Sequence, residues 1–114
     1  MEKTIKINDK KVTFKTSAAL PRLYKSMYGR DLFADMMALE GTDSEHALDG
    51  DVINTLEDVA FCMARHADSS ITNDVVEWLE GFDTFGVIKT LPDILDLWRG
   101  EIETSSVPEL SSAQ

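Results

Sequence analysis

The segment 51–67 most constrains the fold, because its apolar side chains recur at the spacing of an α-helix. One stripe along this helix consists of Val52, Leu56, Val59, Ala60, Met63 and Ala67. Such a stripe predicts an amphipathic helix that buries one side against a core. At about 100° per residue, Phe61 points nearly opposite the stripe, beside Glu57 and Arg65. We therefore expect Phe61 on the outer side of this helix.

Residues 4–15 follow a different pattern, in which apolar and polar side chains alternate. Ile5 and Ile7 alternate with Lys and Thr, and Val12 and Phe14 do so again after a short polar break. A period of two is typical of β-strands, and the stretch 8–10 is suited to a turn, so a β-hairpin is predicted. Because an isolated hairpin is marginal in water, its apolar face must pack on a helix or another sheet.

Four further helices are predicted, over the ranges 18–28, 32–39, 74–80 and 84–99. Ser17, Asp31 and Asp74 have the positions of N-caps for the first three of them. The last helix is expected to bend or break near Pro92, since proline removes a backbone donor. The apolar face of the first of these helices consists of Leu20, Leu23, Tyr24 and Met27.

The stretches between and after these elements are polar. The acidic segment 40–51 contains two glycines and little periodicity, which predicts a mobile loop. Ser, Glu and Pro dominate from residue 100 onward, which predicts a disordered tail over 100–114. With 114 residues, 43% of them hydrophobic, the chain can form one core. We expect a single mainly α domain over 1–99, with about five helices in a small orthogonal bundle and an N-terminal β-hairpin.

Charge is segregated along the chain, whose formal net charge is −10. Residues 1–30 contain eight Lys or Arg and two Asp or Glu, whereas residues 31–114 contain three and nineteen. The acidic body repels a phosphate backbone, which argues against nucleic-acid binding. We expect oriented association with proteins, including copies of this chain arranged head to tail. The candidate self-association residues are Arg22, Lys25 and Arg30.

Few residues offer catalytic or metal chemistry. Cys62 and His66 lie four apart on one helix, which would suit a thiolate–imidazole pair or half a metal site. Zinc requires four ligands, however, and the other histidine is in the acidic loop. The acidic candidates for calcium are Asp43, Glu45, Asp49 and Asp51. Their spacing departs from the EF-hand pattern, so we expect a solvated loop and a non-catalytic protein without metal or cofactor.

The location of the protein is indicated by what the sequence lacks. Cys62 is the single cysteine, so an internal disulfide is ruled out and a reducing compartment is expected. No apolar run approaches ~18 residues, which argues against a membrane span. The first residues lack the apolar block of a secretory signal. We therefore expect a cytosolic protein.

The stretch 87–98 has apolar residues around about half of the helix perimeter. Two interpretations remain open. The helix is central and packed on two sides, or part of its face stays available, with Phe61, to a hydrophobic partner helix. The candidate partner-binding residues on the second interpretation are Phe61, Leu91, Leu95 and Trp98.

Four blocks of the sequence resemble a phage tail assembly chaperone. The blocks are FKTSAALPRLYKSMYGRD at 14–31, AFCMAR at 60–65, EWLEGFDTF at 77–85 and LPDILDLW at 91–98. They lie within 12–98, about three-quarters of the chain. The family comprises small proteins encoded next to the tape-measure protein in long-tailed phages, and the likeness is greatest to those of phages of Gram-positive hosts.

The resemblance implies a mainly helical, non-catalytic protein that binds and solubilises the tape-measure protein before the tail tube polymerises around it. It places the protein in the host cytoplasm and outside the mature virion. Many family members also occur as a longer, frameshifted form that recruits the tail tube protein. The acidic exterior fits this role, because a coated complex that carries negative charge stays dispersed.

An acidic regulator or DNA mimic that binds and inhibits a basic protein is the alternative. A mimic requires carboxylates spaced like phosphates on a rigid face, whereas many of the acids here fall in the predicted loop and tail. Competition with DNA for a DNA-binding protein distinguishes the two hypotheses, because a mimic competes and a chaperone does not.

Overall fold

The computed structural model describes residues 1–43, 45–46 and 48–104. Two strands are followed by five α-helices, with one 3₁₀ turn before the last helix. The elements are β1 (Glu2–Ile7), β2 (Lys10–Lys15), α1 (Leu20–Tyr28), α2 (Leu32–Glu40), α3 (Gly50–Ala67), α4 (Val75–Leu79), the 3₁₀ turn (Ile88–Thr90) and α5 (Leu91–Thr104). The prediction of a mainly helical fold with about five helices and an N-terminal hairpin is confirmed.

The two strands form an antiparallel hairpin in which Ile5 is opposite Val12. Asn8 and Asp9 form the turn with positive φ angles of 50° and 71°, a conformation that Asn and Asp tolerate better than most residues. Ile7, Val12 and Phe14 are buried, and β2 packs against α3. Helix α3 is therefore the element on which the apolar face of the hairpin packs.

The caps of α2 and α4 are as predicted, whereas the start of α1 differs. The Asp31 side chain accepts from the backbone N–H of Phe33, and Asp74 accepts from that of Val76. Helix α1 begins at Leu20 and not at residue 18, with Ala19 as its N-cap. The Ser17 hydroxyl accepts from the backbone N–H of Ala19 and also bonds His66, so it closes a local turn ahead of the helix.

Helix α3 is central and contacts β2, α1, α2 and α4. The prediction that Phe61 points outward is wrong, because its side chain is 1% exposed. Its ring lies 5.5 Å from that of Trp78 between centroids, so α4 covers the side of α3 that the single-stripe prediction left to solvent. The six buried residues in succession at 59–64 are typical of a helix packed on several sides.

The C-terminal part contains the predicted break, and its last helix both starts and ends later than the predicted range 84–99. The 3₁₀ turn precedes α5, and Pro92 lies in the first turn of α5, where a missing N–H costs no helical hydrogen bond. Helix α5 continues to Thr104, so the predicted boundary at 99 is wrong for residues 100–104. The rest of the predicted tail, 105–114, lies outside the described residues. No helix in the described ranges has the length and apolar character needed to cross a bilayer.

Candidate binding groove

A groove of about 560 Å³ lies between α1, α3 and the segment that joins α3 to α4. Helix α1 forms one wall, α3 forms the floor, and the joining segment forms the opposite wall. Its lining residues are Leu23, Met27 and Tyr28 from α1, Phe61, Cys62, Arg65 and His66 from α3, and Ser69, Asn73 and Val75 beyond α3.

The α1 wall exists because the apolar face of this helix is wider than its contact with the core. Leu20 and Tyr24 are fully buried, whereas Leu23 and Met27, each three residues further on, are 39% exposed. Residues three apart are neighbours on a helix, so the two stripes are adjacent. The outer stripe therefore gives the groove an apolar wall that is open to solvent.

The floor is formed by buried side chains of α3. Phe61 is held by the ring of Trp78, and Cys62 is 2% exposed. Burial raises the pKa of the Cys62 thiol to about 11, so the thiol stays protonated at neutral pH. Because the thiolate is the reactive form, this cysteine acts as an apolar packing group.

The charge of the groove is opposite to that of the chain. Among the described lining residues none is a carboxylate, and Arg65 is the one permanent charge, although the chain contains 21 Asp and Glu. The Arg65 Nη1 donates to the carbonyl oxygen of Ile71 at 3.1 Å, which fixes the turn after α3. This turn leads to Asn73 and Val75, so Arg65 also positions the far wall.

His66 also lines the groove, and its Nε2 is 2.7 Å from the hydroxyl of Ser17. Burial is the largest cause that lowers the pKa of His66, and the nearby positive charge of Lys15 lowers it further. The neutral ring is therefore favoured. The bond joins α3 to the turn before α1, which makes it a structural link between the groove floor and wall.

Tyr28 lines the groove and lies beside a charged cluster. The guanidinium of Arg30 lies 5.1 Å from the Tyr28 ring centroid and pairs with Asp35 at 3.0 Å and Asp58 at 2.7 Å. Burial raises the pKa of Tyr28, so its hydroxyl stays neutral. That hydroxyl is the one buried side-chain N or O atom among the described residues that lacks a hydrogen-bond partner.

Two of the four predicted partner-binding residues belong to the core, and the other two pack against it. Phe61 lies in the groove floor, and Trp98 is 6% exposed with its ring 5.4 Å from that of Phe33. The exposure that their predicted role requires is therefore wrong for both residues. Leu91 and Leu95 are half-buried against the core. The interpretation of α5 as a helix packed on two sides is thus the better one.

The three predicted self-association residues differ in their surroundings. Arg22 and Lys25 are exposed on α1, and none of the ion pairs in the described part of the chain involves them. Arg30 instead joins α1 to α2 and α3 through Asp35 and Asp58. Its guanidinium is engaged within the molecule, which removes the basis for its predicted contact with a second copy.

The acidic loop brings three potential ligands together. Oxygen or nitrogen atoms of Asp43, Glu45 and His46 lie within 4.8 Å of one another, and all three residues are exposed. The His46 Nδ1 is 2.8 Å from Asp43 Oδ1, and this hydrogen bond lowers the pKa of Asp43. The His46–Asp43 pair accounts for the arrangement. Asp49 and Asp51, from the calcium hypothesis, are outside this group.

Leu23, Met27 and Arg65 were not among the predicted binding residues. The sequence placed Leu23 and Met27 on the apolar face of the first helix, but four apolar residues in such a helix are ordinary and gave no sign that these two would stay exposed. Nothing in the sequence places Arg65 beside them, because the groove forms only when α1 packs on α3. No family model matches this chain, and no curated protein or solved structure matches it either.

Proposed function

We propose that this chain is a non-catalytic tail assembly chaperone, which binds and solubilises the tape-measure protein in the host cytoplasm. The sequence blocks at 14–31, 60–65, 77–85 and 91–98 support the proposal by their resemblance to that family. The mainly helical fold with an N-terminal hairpin is consistent with it. The proposal includes absence from the mature virion and, through an extended form, a contact with the tail tube protein.

The observation that carries the proposal is the apolar, carboxylate-free groove on a chain of net charge −10. A chaperone for an apolar, rod-shaped client needs one surface that removes apolar side chains from water. It also needs an exterior whose like charges keep the coated clients apart. The groove between α1 and α3 supplies the first property, and the acidic residues outside it supply the second.

The chemistry of the groove favours binding over catalysis. The Cys62 thiol is kept protonated by burial, and the His66 ring is occupied by Ser17 in a link between two elements. Neither side chain has the properties of an activated nucleophile or its base. Leu23 and Met27 offer contact area instead, and methionine adapts to partners of different shape.

Co-expression with the tape-measure protein that the resemblance implies is encoded beside this chain tests the proposal. The expected result is that the client is soluble and co-purifies with this chain but is insoluble alone. An unrelated acidic protein of similar size serves as the control, because it supplies charge without the groove. Client that stays insoluble in the presence of this chain, or that becomes equally soluble with the control, contradicts the proposal.

A further inference from the structure

We infer that the groove between α1 and α3 binds an α-helical segment whose apolar stripe is flanked by a carboxylate, and that this carboxylate pairs with Arg65. The inference rests on the proposed function and specifies which surface contacts the client and what chemistry the client segment presents. It follows from the shape of the groove, from its charge, and from the carboxylates of α2, which are already engaged in other contacts.

The shape of the groove fits a helix. Two helices, α1 and α3, form a wall and the floor, and an apolar groove of this kind takes an amphipathic helix through side chains at i, i+3, i+4 and i+7. The volume of about 560 Å³ accommodates several such side chains. Leu23 and Met27 are each 39% exposed, so a bound helix would remove their remaining surface from water.

The positive charge of the groove indicates which kind of residue should flank the apolar stripe of the bound helix. Arg65 is the one permanent charge among the described lining residues, and its single hydrogen bond to a described residue uses Nη1. A guanidinium has five N–H donors, so the remaining donors can bind a carboxylate. Because no carboxylate lines the groove, an anionic side chain of the bound helix meets one cation and no like charge among the described lining residues.

A second copy of this chain fits the groove less well than a client does. Helix α2 carries the most exposed large apolar side chain among the described residues, Met37, and next to it the exposed Phe33, so α2 is the segment of a second copy to consider first. Its carboxylates are already engaged, however. Asp31 caps the helix, Asp35 pairs with Arg30, and Glu40 pairs with Arg99. Helix α2 therefore offers apolar contact without an available partner for Arg65.

Two fluorescent 18-residue helical peptides, with the same leucine stripe but either Glu or Gln beside it, test the inference by anisotropy against the full chain. We expect the Glu peptide to bind several-fold more tightly. Arg65→Gln should abolish this preference, and Arg65→Lys, which keeps the charge, should retain part of it. Circular dichroism of each variant verifies the fold, since Arg65 also holds Ile71.

A matched pair of substitutions identifies the surface. Met27→Gln should weaken the binding of both peptides by about tenfold, because a partly buried apolar contact is lost. Met37→Gln, the same change at a residue 73% exposed on α2, should leave both affinities unchanged. Each variant is assayed with the same two peptides, so the apolar and the charge contributions are measured separately.

Four results would overturn the inference. The first is equal affinity of both peptides for the unchanged chain, and the second is peptide binding that is weakened by Met37→Gln but not by Met27→Gln. The third is a change in oligomeric state, seen as molecular mass in solution, caused by Met27→Gln, and the fourth is tighter peptide binding after removal of 105–114. The third would indicate a second copy in the groove, and the fourth would indicate the chain's own C-terminal segment. Peptide binding is measured without the tape-measure protein. If the peptides fail to bind as expected but the co-expressed tape-measure protein is soluble, the groove is rejected as the binding site. If the co-expressed tape-measure protein is insoluble, the proposed function is rejected.

Discussion

Trp98 closes the interface between α2 and α5, where its indole is 6% exposed and lies against the ring of Phe33. We expect Trp98→Ala to lower the free energy of unfolding by ~3–5 kcal/mol, because the substitution removes a large buried side chain and leaves a cavity. Urea denaturation measures the change. Phe33→Ala, at a residue 52% exposed, should cost clearly less, and a cost for Trp98→Ala below that of Phe33→Ala would contradict the core position.

His66 makes stability depend on pH. Its pKa is lower in the folded chain than the ordinary value of 6.5, so the unfolded chain binds the proton more readily. The contribution of His66 is therefore complete above that value and is lost as the pH falls through it. Between about pH 7.5 and pH 5.5, we expect the unfolding midpoint to fall less for His66→Gln than for the unchanged chain. An identical pH profile for both would be inconsistent with this account.

Phe61 shows why single residues were hard to place from the sequence. A helical wheel orders side chains around one axis, and the widest stripe of α3 predicted one buried side. The burial of the opposite side depends on Trp78, which is 17 residues away along the chain and reaches Phe61 only after α4 has packed. The uninterrupted apolar run at 59–64 was the local sign that α3 is enclosed.

Elements whose signals are local were predictable. The alternation of the hairpin, the caps Asp31 and Asp74 and the break near Pro92 each depend on a few neighbouring residues, and the structure confirms all of them. The start of α1 was misplaced because Ser17 also bonds His66, 49 residues away. A tertiary contact of that kind competes with the local cap and leaves no trace in the neighbouring sequence.

The hairpin turn docks on the segment after α4, and this contact depends on a glycine. The Asn8 side chain donates to the Asp83 carboxylate at 2.7 Å and accepts from its backbone N–H at 3.0 Å. A Cβ on Gly86 would overlap the Asn8 side-chain oxygen and lie 3.0 Å from Ile7 Cγ2. We expect Gly86→Ala to destabilise the fold by ~1–3 kcal/mol, as overpacking does.

Gly50, the first residue of α3, is the control for this prediction. Nothing lies within 4 Å of a Cβ added there, so Gly50→Ala should be neutral or stabilise the chain by ~0.4–1 kcal/mol. Thermal unfolding of both variants measures the difference. Equal stability of the two alanine variants would show that the turn does not need the close approach at Gly86.

For the whole molecule, the separation of basic and acidic residues leaves head-to-tail association as a prediction. Arg22 and Lys25 are exposed on α1, whereas Arg30 is engaged. We expect light scattering to show a mass that rises at low salt and falls at high salt, because salt screens such contacts. Lys25→Gln should reduce this salt-dependent change in mass more than Lys89→Gln does. A constant monomer mass across the salt series would reject the prediction.

The groove itself was beyond what the sequence could predict. Leu23 and Met27 come from α1, Cys62 and Arg65 from α3, and the far wall from the segment that Arg65 holds in place. Its apolar lining and its lack of carboxylates are properties of the packed elements together. The sequence left open an apolar surface on α5, whereas packing buries Trp98 there and leaves Leu23 and Met27 exposed in the groove beside α1.

Hydrogen exchange of the co-purified complex with the tape-measure protein tests the central claim most directly. If the groove binds the client, amide exchange should slow in α1 and in residues 68–75 relative to the free chain, while α2 exchanges at the same rate in both. Protection confined to α2, or exchange in α1 that is the same with and without the bound client, would contradict the claim.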